Sequence, residues 1–224
     1  MNTGRRDEWF AMTGPKQLRP LLVAIALSLS AVGCLSRSAM QTGRALPDNT
    51  GEFLVSGGGW GTMFGTFCME GPCSSGYHPY PYAQLGYRRG VGNGWDLGIR
   101  ATSLPTLLLE AKRQVIGTQR STFALALGVS LSTHFPTFVT ELALPVYISV
   151  HPHKIVAVYL VPRVSLLGPV SRDHYVTPLG GGSLGVRIGR YMGVMVEATS
   201  VFHLAPVPEP GVVDSTEFTV GFFF

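Results

Sequence analysis

Six histidines, three cysteines and a sparse set of charged side chains carry whatever chemistry this 224-residue chain can perform. His134 stands two residues from Ser132, His203 lies near Glu197 and Ser200, and Asp173 adjoins His174. An imidazole beside a hydroxyl or a carboxylate is raw material for nucleophilic or general acid–base catalysis, provided the groups come within hydrogen-bond reach. No recognisable catalytic motif surrounds any of these groupings, so no catalytic residue and no enzymatic activity are assigned. His151-Pro152-His153 offers two imidazoles to a metal, but a proline-containing tight turn accounts for the same residues, and no metal or other cofactor is expected. Gly57-Gly58-Gly59 and Gly180-Gly181-Gly182 do not lead into a helix with Lys and Ser/Thr, so they are not phosphate loops. They read as relief of crowding in curved strands.

Cys68 and Cys73 are close enough to pair across a short loop in an oxidising compartment. A zinc site at these two lacks a second ligand pair at suitable spacing. Cys34 is left over, and what precedes it matters. Lys16 and Arg19 introduce the apolar run Leu21 to Val32, followed by Gly33-Cys34. A charged start, about a dozen apolar residues and a small-residue end make residues 1–33 a secretory signal peptide, too short for a membrane-spanning helix. Asp7, Glu8 and Trp9 are foreign to such a signal, and Met12 is the expected true start. Ala31-Val32-Gly33-Cys34 resembles a bacterial lipobox, with Ala where Leu is usual. That resemblance implies cleavage before Cys34 and a diacylglycerol on its sulfur. Ala31-x-Gly33 equally fits an ordinary signal-peptidase site, which leaves Cys34 unmodified.

The elements that would position these residues are strands. Only 13% of the residues are charged against 46% hydrophobic, about half the charge of a usual soluble protein. Yet the apolar residues beyond the signal are dispersed at period two. Phe123, Leu125, Leu127, Val129 and Leu131 alternate with Ala124, Ala126, Gly128 and Ser130. Dividing the chain at its turn residues gives about ten strands: 52–65, 80–90, 94–103, 106–116, 121–133, 137–151, 154–166, 177–190, 191–203 and 216–224. Residues 34–51 read as a lipidated tether and 52–224 as one antiparallel up-and-down barrel. The expected turns at 91–93, 117–120, 152–153 and 190/191 are short and fall on one side. The longer connections 66–79, 167–176 and 204–215 fall on the other. One parity is nearly free of charge. The other carries Arg88, Asp96, Arg100, Glu110, Lys112, Glu141, Arg163, Arg187, Glu197 and Glu217, five basic and five acidic residues that should face the interior and neutralise one another there. Beyond residue 33 the chain holds 13 basic and 11 acidic residues, so no basic face calls for nucleic acid.

In the last strand Phe218, Val220, Phe222 and Phe224 alternate to a terminal Phe. This resembles the C-terminal signal by which bacterial outer-membrane barrels are recognised for assembly. With the sorted loops and the export signal, the chain resembles the small Gram-negative outer-membrane β-barrels, with no named subfamily. The resemblance implies an all-β transmembrane barrel in the outer membrane, with lipid and the barrel-assembly machinery as partners and no indicated ligand. It implies a structural or surface-interaction role through the outer loops. A narrow pore for small solutes is the alternative, and a β-sandwich lipoprotein that never inserts is another. Trp60, Tyr80, Tyr82, Tyr87, Trp95, Tyr191 and Phe202 near strand ends are expected to form an interfacial aromatic belt. Gly128→Ser, on the polar parity, is expected to be mild.

Overall fold

A strand whose alternate residues are apolar can bury or expose an entire face at once, and here ten such strands join edge to edge. The computed structural model describes residues 37–62, 80–103, 105–135, 138–169, 176–204 and 215–224. The strands are β1 (Gly51–Thr62), β2 (Tyr80–Gly92), β3 (Trp95–Thr102), β4 (Thr106–Ile116), β5 (Phe123–His134), β6 (Val139–His153), β7 (Val156–Pro169), β8 (Thr177–Gly189), β9 (Gly193–His203) and β10 (Ser215–Phe223). Each pairs antiparallel with its neighbour in sequence, and β1 pairs with β10 from Leu54↔Phe223 to Thr62↔Ser215, so the sheet closes on itself. A sandwich needs two sheets with the apolar parity between them. Here there is one sheet, and its apolar parity points outward. Leu97, Ile99, Leu127, Val129, Leu142, Leu144, Val164, Leu166, Phe218 and Phe222 are all exposed.

The connections sort by side. At one end, the turn end, strands are joined through residues 93–94, 117–122, 154–155 and 190–192. Gly92, Asn93 and Gly94 all hold positive φ (98°, 53° and 76°), the backbone a two-residue reversal demands, and only Gly and Asn adopt it readily. The opposite, loop end carries 63–79, 103–105, 135–138, 170–176 and 204–214. Two of these five are short, so the sorting is less complete than the sequence suggests. The turn expected at Pro152-His153 sits two residues later, at Lys154-Ile155, because a register shift between Val150 and His153 lengthens β6.

The interior departs from a protein core. Its buried apolar members are few and mostly Ala, Tyr and Met, whereas Ser56, Gln84, Arg88, Asp96, Lys112, Glu141, Ser149, Glu197 and Thr219 are all buried. On β5 the inward residues are Ala124, Ala126, Gly128, Ser130 and Ser132, side chains too small to meet across ten strands. About eight strands is the size at which wall side chains alone fill a barrel. The space is taken by the chain itself. Residues 38–43 and Ala45 are buried, and residues 37–46 run through the lumen before the exposed stretch Pro47–Thr50 leads into β1. The expected tether is therefore, over 37–46, an internal plug rather than an external spacer. Its buried members, Ser38 to Gly43 and Ala45, carry no charge and fit a space that a free tether would leave empty.

Gly128 faces inward, but a Cβ there would lie 2.8 Å from the Tyr147 ring, so Gly128→Ser must displace that ring and is not mild. On the outer face, Leu127→Arg or Leu142→Arg should cost about 2–4 kcal/mol if that face meets hydrocarbon. Urea titration of the refolded protein in lipid vesicles, read by heat-modifiable gel migration, measures it. A change under about 0.5 kcal/mol for both variants would mean the outer face does not meet lipid.

Candidate functional site

A backbone segment outside any ladder must find a partner for every buried N–H and C=O. The threaded segment finds most of them in polar side chains of the wall, many of them charged. At the loop end, the Arg37 N–H donates to Glu217 (2.9 Å), while its guanidinium meets Glu141 (3.0 Å) and Ser215 (3.2 Å). The N–H groups of Ala39 and Met40 donate to the two carboxylate oxygens of Glu197, at 2.5 and 2.6 Å. Met40 has φ 45°, and such a left-handed residue turns successive N–H groups to one side, as in short backbone concavities that hold anions. Arg100 donates to the Ser38 carbonyl, and Lys112 Nζ to the carbonyls of Thr42 and Arg44, both at 3.0 Å. Nearer the turn end, the N–H groups of Ala45 and Leu46 reach Gln114 and Asp96 (both 2.8 Å), and that of Asn49 reaches the Gly90 carbonyl (2.9 Å). Carboxylates take most of the segment's N–H groups, with Ser149 taking that of Gly43, and Arg100, Lys112 and the Gln119 amide take its carbonyls.

The same side chains also pair among themselves. Glu52 sits between Arg88 (2.8 Å) and Arg187 (2.6 Å); Asp96 between Lys112 (3.0 Å) and Arg88 (3.7 Å); Glu110 against Arg100 (2.8 Å). Gln41 bridges two of these groups, donating to Glu110 and accepting from Arg88. Tyr82 donates to Glu217, and Tyr159 to Glu197 at 3.0 Å. The Arg187 guanidinium lies 3.5 Å from the Phe223 ring centroid. Arg163 faces the lumen on the parity of Tyr159, Val161 and Ser165, with Glu141 as its main electrostatic neighbour. All ten side chains named from the sequence thus point inward. Glu52, Arg37, Gln41 and the three tyrosines Tyr82, Tyr147 and Tyr159 were not among them. Glu52 shares the inward parity of Leu54 and Ser56, and the apolar Leu54 masked that signal.

Contact with the wall is close. A Cβ at Gly43 would lie 2.6 Å from the Ala124 carbonyl oxygen and 2.8 Å from that of Tyr147, both fixed backbone. Gly221 in β10 opens the space that the end of Met40 occupies, where a Cβ would be 2.6 Å away. In β1, a side chain at Gly58 would run into the Phe218 carbonyl and the Tyr82 hydroxyl, which gives one of the triple glycines a packing reason.

The candidates on β9 do not assemble. Ser200 points outward while His203 and Glu197 point inward, and six strand residues, about 20 Å, separate the latter two. Glu197 is in any case engaged by the segment. His134 and Ser132 share the inward face of β5 at the loop end. His151 Nε2 lies 2.9 Å from Ser149 Oγ, and His153 Nδ1 accepts from the Ile155 N–H at 3.5 Å; among the described residues no group of His, Cys, Asp or Glu suits a metal. Asp173, His174, Cys34, Cys68 and Cys73 lie outside the described residues. Of the expected aromatic belt, Trp95, Tyr191 and Phe202 are exposed on the outer face, Trp95 with Arg113 at 5.6 Å and Tyr191 with Arg190 at 4.9 Å. Tyr87 packs against Phe53 with ring centroids 4.7 Å apart and planes tilted by 44°. Tyr82 does not belong to it, because its parity turns it inward to the carboxylate of Glu217.

No family model matches the sequence, and no curated protein matches it. Among solved structures, the chain is similar to the NanC porin at 10% identity, covering 77% of this chain and 98% of that one with a TM-score of 0.49. It is similar to Ail, the attachment invasion locus protein of Yersinia pestis in complex with the heparin analogue sucrose octasulfate (11%, 78% and 99%, TM-score 0.30). A bacterial polysaccharide outer membrane secretin is also similar (10%, 80% and 100%, TM-score 0.32). At such identities the likeness concerns the fold and says nothing of ligand or activity.

Glu197→Ala leaves the Ala39 and Met40 N–H groups buried without their acceptor, at about 1–3 kcal/mol each. The expected outcome is loss of hydrogen-exchange protection over residues 38–46 with the β-ladders still protected. Gly43→Val should do the same by collision with the wall. Unchanged protection in both variants would mean the segment is not held by these contacts.

Proposed function

We propose that the protein is an outer-membrane barrel that does not conduct, its lumen closed by its own N-terminal segment, and that it acts outside the lumen. Its work is structural, or is done through the connections at the loop end. The observation that carries this reading is the occupied lumen: Ser38 to Ala45 stand where a water path would run. Membrane insertion is supported by the continuous apolar outer face, far larger than the roughly 300–600 Å² patch a soluble monomer tolerates. The turn end is periplasmic and the loop end outward, following the usual disposition of short turns and longer loops. The last strand is the assembly signal. Phe218, Val220, Phe222 and Phe224 all face outward, and Phe224 exchanges two backbone hydrogen bonds with Phe53 (2.8 and 3.0 Å) across the closing seam. A non-catalytic role is favoured by the outward Ser200 and the committed Glu197. Cys34 is the acylated mature N-terminus, and Cys68 pairs with Cys73.

Planar-bilayer recording tests the closed lumen. The unaltered protein should show no steady conductance, whereas Gly43→Val, or deletion of residues 38–45 where that chain still folds, should open measurable channels. Steady channels from the unaltered protein would replace this reading with a narrow pore.

Mass spectrometry of the non-reduced protein tests the cysteines. The expected N-terminal peptide begins at an acylated Cys34, and the peptides bearing Cys68 and Cys73 are joined. A free Cys34 thiol would return the signal to ordinary cleavage, and two free loop thiols would remove the disulfide.

A further inference from the structure

The threaded segment has a direction, and the direction assigns a side of the membrane to everything before it. Arg37 is held by Glu217 and Glu141, each two residues inside the loop-end start of its strand. The contacts then descend in order: Glu197 for residues 39 and 40, Lys112 for 42 and 44, Asp96 for 46, and the Gly90 carbonyl at the turn end for Asn49. The segment therefore runs from loop end to turn end, antiparallel to β1, which climbs back. From this we infer that the chain ahead of Arg37 opens at the loop end, so that the mature N-terminus is displayed on the outer surface rather than left in the periplasm. This rests on the reading of the loop end as outward.

Chain length decides between the two sides. Cys34 is three residues from Arg37, a reach of at most about 11 Å. Returning to the turn end takes about 18 Å along β10 from Glu217, and about 30 Å along β6 from Glu141, for strands tilted by about 40°. That return path is also filled, since residues 38–45 occupy the lumen. The loop-end rim, two strand residues above Glu217, is about 5 Å away. Only the outer side is within reach.

Single-cysteine labelling on intact cells with a membrane-impermeant maleimide tests the inference, in a Cys68→Ser/Cys73→Ser chain. Ser36→Cys reports the N-terminal side, Val176→Cys the loop end and Asn93→Cys the turn end. The expected pattern is labelling of Ser36→Cys and Val176→Cys on intact cells, and of Asn93→Cys only after permeabilisation. Ser36→Cys silent until permeabilisation, with the other two as expected, overturns the threading while the barrel orientation stands. Val176→Cys silent and Asn93→Cys labelled on intact cells overturns the orientation itself. The parent without a reporter is the blank, because a thioether at Cys34 does not react. A parent that labels on intact cells supports display of the N-terminus and removes only the acylation.

Discussion

The structure depends on one requirement: a stretch of irregular backbone inside a barrel must have its N–H and C=O groups satisfied without a neighbouring strand. The wall backbone offers little, because most of its groups are used in the ladders, although Gly90 lends a carbonyl to Asn49 near the turn end. Polar side chains are what remain, neutral ones such as Gln114 and Ser149 and above all the ionised ones. A hydrogen bond to a charged group is worth about 1.5–3 kcal/mol against about 1 for a neutral pair. That explains why Glu197 spends both carboxylate oxygens on two successive amides, and Lys112 its ammonium on two carbonyls. Part of the cost of burying charge in the wall is offset where the charges pair, as Lys112 does with Asp96 and Glu52 with Arg88 and Arg187.

This changes what the interior charges mean. Read from the sequence they are a self-neutralising plug, five against five. In the structure they are a polar mould with two jobs divided among them: Arg187 pairs with Glu52, Glu197 grips the segment, and Lys112 does both. Small wall residues complete the mould. Ala124, Ala126 and Gly128 on β5 and Gly221 on β10 leave the volume, and Gly43 and Met40 enter it.

The fold was legible because period two is a strong physical signal when one face meets an apolar surroundings and the other a polar interior. The strand from Thr106 to Ile116 is the same in both readings, and the others differ at their ends, where bulges such as that near Val150 shift the boundary. The threaded segment was not legible. Residues 37–46 have no alternation, because they make no ladder, and their small polar character is shared by any linker. What could have revealed them lay elsewhere in the chain: an inward parity on β5 composed of Ala, Gly and Ser, which cannot fill ten strands. Tyr82 was misassigned for a related reason, since proximity to a strand end says nothing about which face a residue takes. The grouping on β9 failed on parity too, with Ser200 and His203 three residues apart and therefore on opposite sides.

The seam between β1 and β10 lies immediately after the threaded segment in the chain and last in the sequence. A segment gripped from Glu217 and Glu141 near the loop end to Asp96 near the turn end has no free channel to slide into once that seam is shut. The wall must therefore wrap around it. Residues 37–46 act as a mandrel on which the strands are wound, and β10 locks the winding when Phe224 meets Phe53. The order of synthesis, N-terminal segment first and closing strand last, is also the order that this topology requires for assembly.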